Sequence, residues 1–167
     1  KDLAYSIAVS TIPSWEPLVE WYATLIRDQT QTNIQIQNKV KELTLGVFSQ
    51  KEKIRKLYNF VANEIDYVGI ELGIWAIKPH SSPRVFREKH GDCKDKSTLL
   101  GTMLSELGIS SYPVLISAGK SRNINRQVPS LAYFNHMILA VKTKSCDFLF
   151  LDPTATGQPF DQLPVSD

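Results

Sequence analysis

From residue 112 onward the apolar residues change period, and that change limits the possible fold more than any other feature. Before about residue 108 they recur every three or four positions, as on helices. Beyond it they form short β-rich runs at 112–118, 133–142 and 147–152. A polar, basic loop at 119–131 separates the first two runs, and no internal repeat or low-complexity tract interrupts the order. Helices first and antiparallel strands last imply an α+β fold. The 167 residues suit one domain, expected to span 1–167 around a single core.

The helical half resolves into four candidates after a short expected strand at 4–12. Ser14 is placed as an N-cap, with Pro17 in the first turn and Leu18, Val19, Tyr22, Leu25 and Ile26 at helical spacing, predicting a helix over about 15–28. The Gln/Asn-rich stretch 29–38 reads as a loop, and Val40, Leu43 and Val47 as a short helix. Ser49 and Glu52 form a capping-box pair ahead of Ile54, Leu57, Tyr58, Val61 and Ile65, a helix over about 49–65. Residues 66–90, punctuated by Gly69, Gly73, Pro79 and Pro83, show no sustained period and read as irregular. Asp92 then caps a helix that carries Leu100, Met103, Leu104 and Leu107 and ends at Gly108.

Composition removes several classes. A hydrophobic share of 43% and a charged share of 22% are those of a folded globule. A net charge of +2 without basic runs interleaved with aromatics gives no nucleic-acid footprint. No apolar run reaches the ~20 residues of a membrane span. The sequence opens on Lys1 and carries no signal-peptide pattern, so the expectation is a domain excised from a longer chain. Two cysteines, Cys93 and Cys146, make no disulfide framework.

Cys93 falls at the start of the 92–108 helix, after a Gly turn. A thiol reacts as its thiolate. A helix N-terminus supplies partial positive charge and unpaired N–H groups that favour an anion there, and the same N–H groups point at an oxyanion. Lys94 and Lys96 are cationic neighbours in sequence. Cysteine is often an inert small hydrophobe in a core, but Gly-Asp-Cys-Lys-Asp is a polar setting unlike one. The base such a thiol needs is sought among His80, His90 and His136. His136 lies within the apolar run YFNHMILAV, where it is either a satisfied sheet histidine or a functional one. If Lys142 lies opposite Cys146, with Thr143, Lys144 and Ser145 as the turn, His136 faces Asp152 directly, their Cβ atoms roughly 4.5–5.5 Å apart. A slip of one residue puts them on opposite faces. Asp152, before Pro153 and Thr154, also reads as a strand-ending turn former.

GDCKDKSTLL (91–100), FNHMILAV (134–141) and LDPTA (151–155) together resemble the Cys, His and Asp blocks of the transglutaminase-like superfamily, over about residues 14–164 and including YVGIELGIWAIKPHSSPRVF (67–86). The similarity is to bacterial proteins in which this core follows an N-terminal β-rich domain of unknown function. The resemblance implies a papain-like α+β core, N-terminal helices packed on a C-terminal antiparallel sheet, and a nucleophile at a helix N-terminus. It makes Cys93 the nucleophile, His136 the general base and acid, and Asp152 the orienting group, with Trp75 an oxyanion candidate against a packing role. It implies no cofactor, no metal and a peptide or protein amide substrate. Flanking domains and a cell-envelope or periplasmic location are likewise implied by the resemblance alone.

The leading expectation is thiol attack on an amide, completed by water or by an amine. The alternative is a peptide- or partner-binding module that keeps the fold. Cys93, His136 and Asp152 as metal ligands have no supporting spacing. His80 and His90 are expected to be structural or at the surface, Cys146 a bystander, and Arg122 and Arg126 part of a solvated loop.

Overall fold

In the computed structural model, residues 9–69, 72–119, 124–143, 147–157 and 159–164 are described. Five helices and five strands follow in the order α1 (Trp15–Arg27), α2 (Ile34–Thr44), α3 (Gln50–Glu64), β1 (Asp66–Tyr67), α4 (Ser82–Glu88), β2 (His90–Gly91), α5 (Cys93–Ser105), β3 (Ser111–Ile116), β4 (His136–Lys142) and β5 (Phe148–Leu151). β4 is the middle strand of an antiparallel sheet ordered β3-β4-β5. Helix α5 packs between this sheet and helices α3 and α4. This is the expected α+β arrangement, helices against an antiparallel sheet.

The spacing predicts one apolar stripe on α5, but the helix has no solvent face in its first two turns. Every residue from Gly91 to Leu100 is buried. Leu99, Leu100, Met103 and Leu104 enter the main core beside Leu57 and Val61 of α3 and Leu139 and Val141 of β4. The buried polar groups are paired, as a dry interior requires. Ser97 Oγ donates to Met137 O at 3.1 Å. Lys96, 1% exposed, donates from Nζ to Ala62 O and Ile65 O at 3.1 and 2.7 Å, satisfying carbonyls that the end of α3 leaves open. Burial lowers the pKa of that ammonium. Gly108 ends the helix at φ +66, a left-handed position glycine takes without strain.

Four expectations change. Residues 34–38 belong to α2, capped by Asn33 Oδ1 accepting from Ile36 N at 2.9 Å, although the segment reads as a loop. Only Ile36 and Val40 of α2 are buried, too short a stripe to outweigh the polar residues. Helix α4 lies inside the stretch taken as irregular, because Pro83 sits in its first turn, where the missing N–H costs nothing. Residues 9–12 of the expected strand 4–12 are outside regular structure, and residues 4–8 lie outside the described residues. Finally, Lys142 pairs with Phe148 and Leu139 with Leu151, a register two residues away from the expected one. Lys144–Cys146 of the connection lie outside the described residues.

Candidate active site

The site is assembled where α5 begins and β4 starts. Asp92 caps α5: Oδ1 accepts from Lys94 N and Asp95 N at 2.8 and 3.2 Å, and Asp95 Oδ2 accepts from Asp92 N at 3.2 Å. This reciprocal capping box fixes Cys93 as the first helical residue. The turn before it demands glycine: a Cβ on Gly91 would meet Asp95 Cβ at 2.5 Å. Lys94 folds back on Asp92, Nζ to Oδ2 at 2.7 Å, and Lys96 Nζ donates to the carbonyl that follows α3. Cys93 is 4% exposed and clusters with Tyr22 and Met137.

His136 is the first residue of β4. Its Nε2 meets Asp152 Oδ2 at 2.9 Å, and its ring lines one cleft with Cys93. The two-residue register shift is even, so His136 and Asp152 remain on one face, as diagonal rather than directly opposed neighbours. Asp152 is held on its other oxygen: Thr154 N and Oγ1 both donate to Oδ1, at 2.9 and 2.7 Å. Tyr58 of α3 donates from its hydroxyl to Asp152 O at 2.9 Å and to Ala155 O at 3.1 Å, tying the carboxylate's backbone to the core.

Burial disfavours a charged His136, but hydrogen bonds to Asp152 and Cys93, and their charges, carry it up to about 10. Burial likewise works against a charged Asp152, yet hydrogen bonds from His136 and Thr154 hold it at about 2. Both shifts favour the charged forms of His136 and Asp152 in contact with each other.

The Cys93 cleft has a volume of about 130 Å³ and is walled by Tyr22, Ile77, Leu115 and Phe134 together with His136. Tyr22 is fixed across it by its hydroxyl donating to Ile77 O at 3.1 Å. Burial, with the charges of Cys93 and Asp92, raises that phenol's pKa above the tyrosine range.

Trp75 is placed elsewhere. Its indole stacks on the His80 ring, centroids 4.4 Å apart, and it lines a separate hollow with His80, Arg84 and His90. His80 is structural: its N–H donates to Asp95 Oδ1 at 2.6 Å and its Nδ1 meets Oδ2 at 3.1 Å. His90 is exposed, its Nδ1 3.0 Å from Glu88 O. Arg126 is exposed, and its carbonyl accepts from Trp15 Nε1 at 2.8 Å. Arg122 and Cys146 lie outside the described residues. Sequence reasoning passed over Tyr58, Thr154 and Tyr22 as supports of the site. Thr154 alone carried a local signal, an Asp with a hydroxyl residue two positions on.

Among the described residues no group of three or more His, Cys, Asp or Glu side chains is arranged to hold a metal ion, and no helix is long and apolar enough to cross a membrane.

The family model described as the transglutaminase-like superfamily matches residues 37–153, a span that contains Cys93, His136 and Asp152. The chain belongs to the transglutaminase-like superfamily. Two solved structures share the fold of this transglutaminase-like chain. One is a candidate protease from Parabacteroides distasonis ATCC 8503, with a TM-score of 0.63 and 16% identity over 86% of this chain. The other is a candidate cysteine protease from Cytophaga hutchinsonii, with a TM-score of 0.56 and 12% identity over 88% of this chain. This transglutaminase-like chain spans only 31% and 45% of those two proteins. No curated protein matches it.

Proposed function

We propose that this domain is a cysteine-dependent acyl-transfer enzyme acting on amide bonds, with Cys93 as nucleophile, His136 as general acid and base, and Asp152 as the group that orients and charges the imidazole. One observation carries the reading: the ring of His136 holds Asp152 Oδ2 at 2.9 Å and walls the same cleft as the thiol at the first residue of α5. A sheet histidine needing only satisfaction would not have to share a cleft with the thiol at a helix tip.

The step follows from the charges. The Cys93 sulfur attacks the amide carbon, and the carbonyl electron pair moves to oxygen. The N–H of Cys93 is one of the α5 donors without an intrahelical acceptor, so it is suited to that oxyanion. Collapse of the adduct breaks the C–N bond, and the His136 imidazolium gives its proton to the departing amine. His136, now neutral, takes a proton from water or from a second amine as that nucleophile attacks the thioester. The thiolate leaves, and the ion pair is restored. Asp152 keeps the ring in place and stabilises its charged form, without taking the proton itself. Trp75, stacked on His80, is left out of this assignment.

Intact-mass measurement during incubation with peptide amides tests the reading. A transient adduct on Cys93, lost in Cys93→Ala, is expected. Unmodified protein with no product from any amide would contradict it.

A further inference from the structure

An apolar groove of about 530 Å³ runs between α1 and β3 and adjoins the Cys93 cleft. The two share Tyr22, Leu115, Leu131 and Phe134 as walls. Leu18, Val19 and Ala23 of α1 extend the groove, and Arg27 is its single charged lining residue. Val19 is 63% exposed, so this apolar surface meets solvent at the site's threshold. Volumes of a few hundred Å³ with mainly apolar lining are those of ligand sites.

The far side of His136 differs. A hollow of about 290 Å³ is lined by His136, Asp152, Asn135 and Thr154, and it lacks the groove's aromatic walls. This asymmetry gives the site a direction. His136 protonates the departing amine, so the amine half of the substrate lies on the His136 side. The acyl half must then run the other way from Cys93, past Tyr22 and into the groove. Lys94, which also borders the cleft, is engaged by Asp92 at 2.7 Å, and three of the four walls shared with the groove, Leu115, Leu131 and Phe134, are apolar.

We infer that the groove between α1 and β3 seats a bulky apolar side chain, aromatic or branched aliphatic, carried within two residues of the attacked carbonyl on the acyl half of a peptide substrate. This inference rests on the acyl-transfer reading and adds a substrate class to it. Its occupant is a substrate side chain, because the groove shares four walls with the reactive cleft and, unlike the hollow beside His136 and Asp152, has aromatic ones.

The test compares peptide amides carrying Phe, Leu, Ala, Glu or Lys in those acyl positions. A parallel set of peptidyl ketones with a displaceable group reports on the groove through covalent labelling of Cys93, without needing turnover. For the wild type, kcat/KM and labelling rate are expected to favour Phe and Leu over Ala by roughly 10- to 100-fold, the range an apolar pocket gives. Ala23→Trp fills the groove from an exposed helix position, and the Phe-to-Ala ratio should fall below about threefold. Val19→Glu, also exposed, should lower the same ratio by placing charge in the groove. Equal rates for all five side chains, or ratios untouched by both variants, would overturn the inference. Ketone selectivity that collapses in Ala23→Trp while no amide is turned over would uphold the groove and refute the acyl-transfer reading. If sedimentation shows a self-associated wild type that Ala23→Trp dissociates without altering selectivity, the groove binds a second copy and the inference fails.

Discussion

Two histidine–aspartate pairs lie near the start of α5, and they do different work. His136 meets Asp152 at 2.9 Å, and His80 meets Asp95 at 3.1 Å. Both carboxylates are buried. The difference is what stands on the other side of each ring and what else each carboxylate holds. Asp95 takes the backbone N–H groups of His80 and Asp92, so it fastens the helix start to the preceding loop. The face of His80 is covered by Trp75. Asp152 is anchored on one oxygen by Thr154, leaving the other for His136, whose ring shares a cleft with Cys93. An imidazole–carboxylate pair is therefore no sign of catalysis by itself. Under the proposed function, what sets His136 apart is the thiol that shares its cleft.

The sharpest way to break this contrast is to remove each ring in turn. His136→Ala should lower amide turnover by about 10²- to 10⁴-fold, the usual worth of a general acid–base. His80→Ala should change turnover per folded molecule by less than about fivefold while lowering the melting temperature. Comparable losses of turnover would place both pairs in the chemistry.

Substituting the carboxylates comes next. Asp152→Asn should cost up to about 10⁴-fold in turnover, by loss of the fixed, charged imidazole. Asp95→Asn leaves buried N–H donors with a poorer acceptor and should act mainly on stability, by about 1–3 kcal/mol in denaturant unfolding.

The pairs also differ in their pH signature. Asp152, with its pKa held at about 2, stabilises the fold above its unfolded value near ~3.9, and that contribution is lost as pH falls through about 2. His136, carried up to about 10, stabilises the fold fully below its unfolded value near ~6.5, and that contribution is lost as pH rises through about 10. The stability advantage of wild type over Asp152→Asn should thus be greatest and level between about pH 4 and 6.5, then shrink toward pH 10. Chemical denaturation across that range checks it. A smaller effect is expected at Tyr58→Phe, which strips one donor from the carbonyls of Asp152 and Ala155 and should cost about 1–2 kcal/mol.

How much of this was legible depended on whether a signal was local. The helices at 15–28, 49–65 and 92–108 could be read because caps and apolar spacing agreed, and α1, α3 and α5 occupy those places. The start of α5 is written out in Gly91, Asp92 and Asp95, which is why Cys93 could be placed at a helix tip from sequence. Pairing across the sheet was harder. His136 and Asp152 share a face only in registers that differ by an even number from the expected one, and β4 and β5 adopt such a register. The register itself could not be read, because it depends on a connection whose residues carry no glycine or asparagine turn signal. Tyr58 looked like one more core residue on an apolar helix face, and only the fold shows its hydroxyl under Asp152. The paired His80 and Asp95 were invisible for the same reason, being joined across an irregular segment.

The central claim, that Cys93 and His136 share one charge system, is tested most directly by the rate of iodoacetamide alkylation of Cys93 at pH 6, in a Cys146→Ser background that leaves one thiol. The account predicts labelling well above that of a free cysteine at that pH, slowed at least about tenfold by His136→Ala and left within about twofold by His80→Ala. Labelling that matches free cysteine and is indifferent to His136 would contradict it.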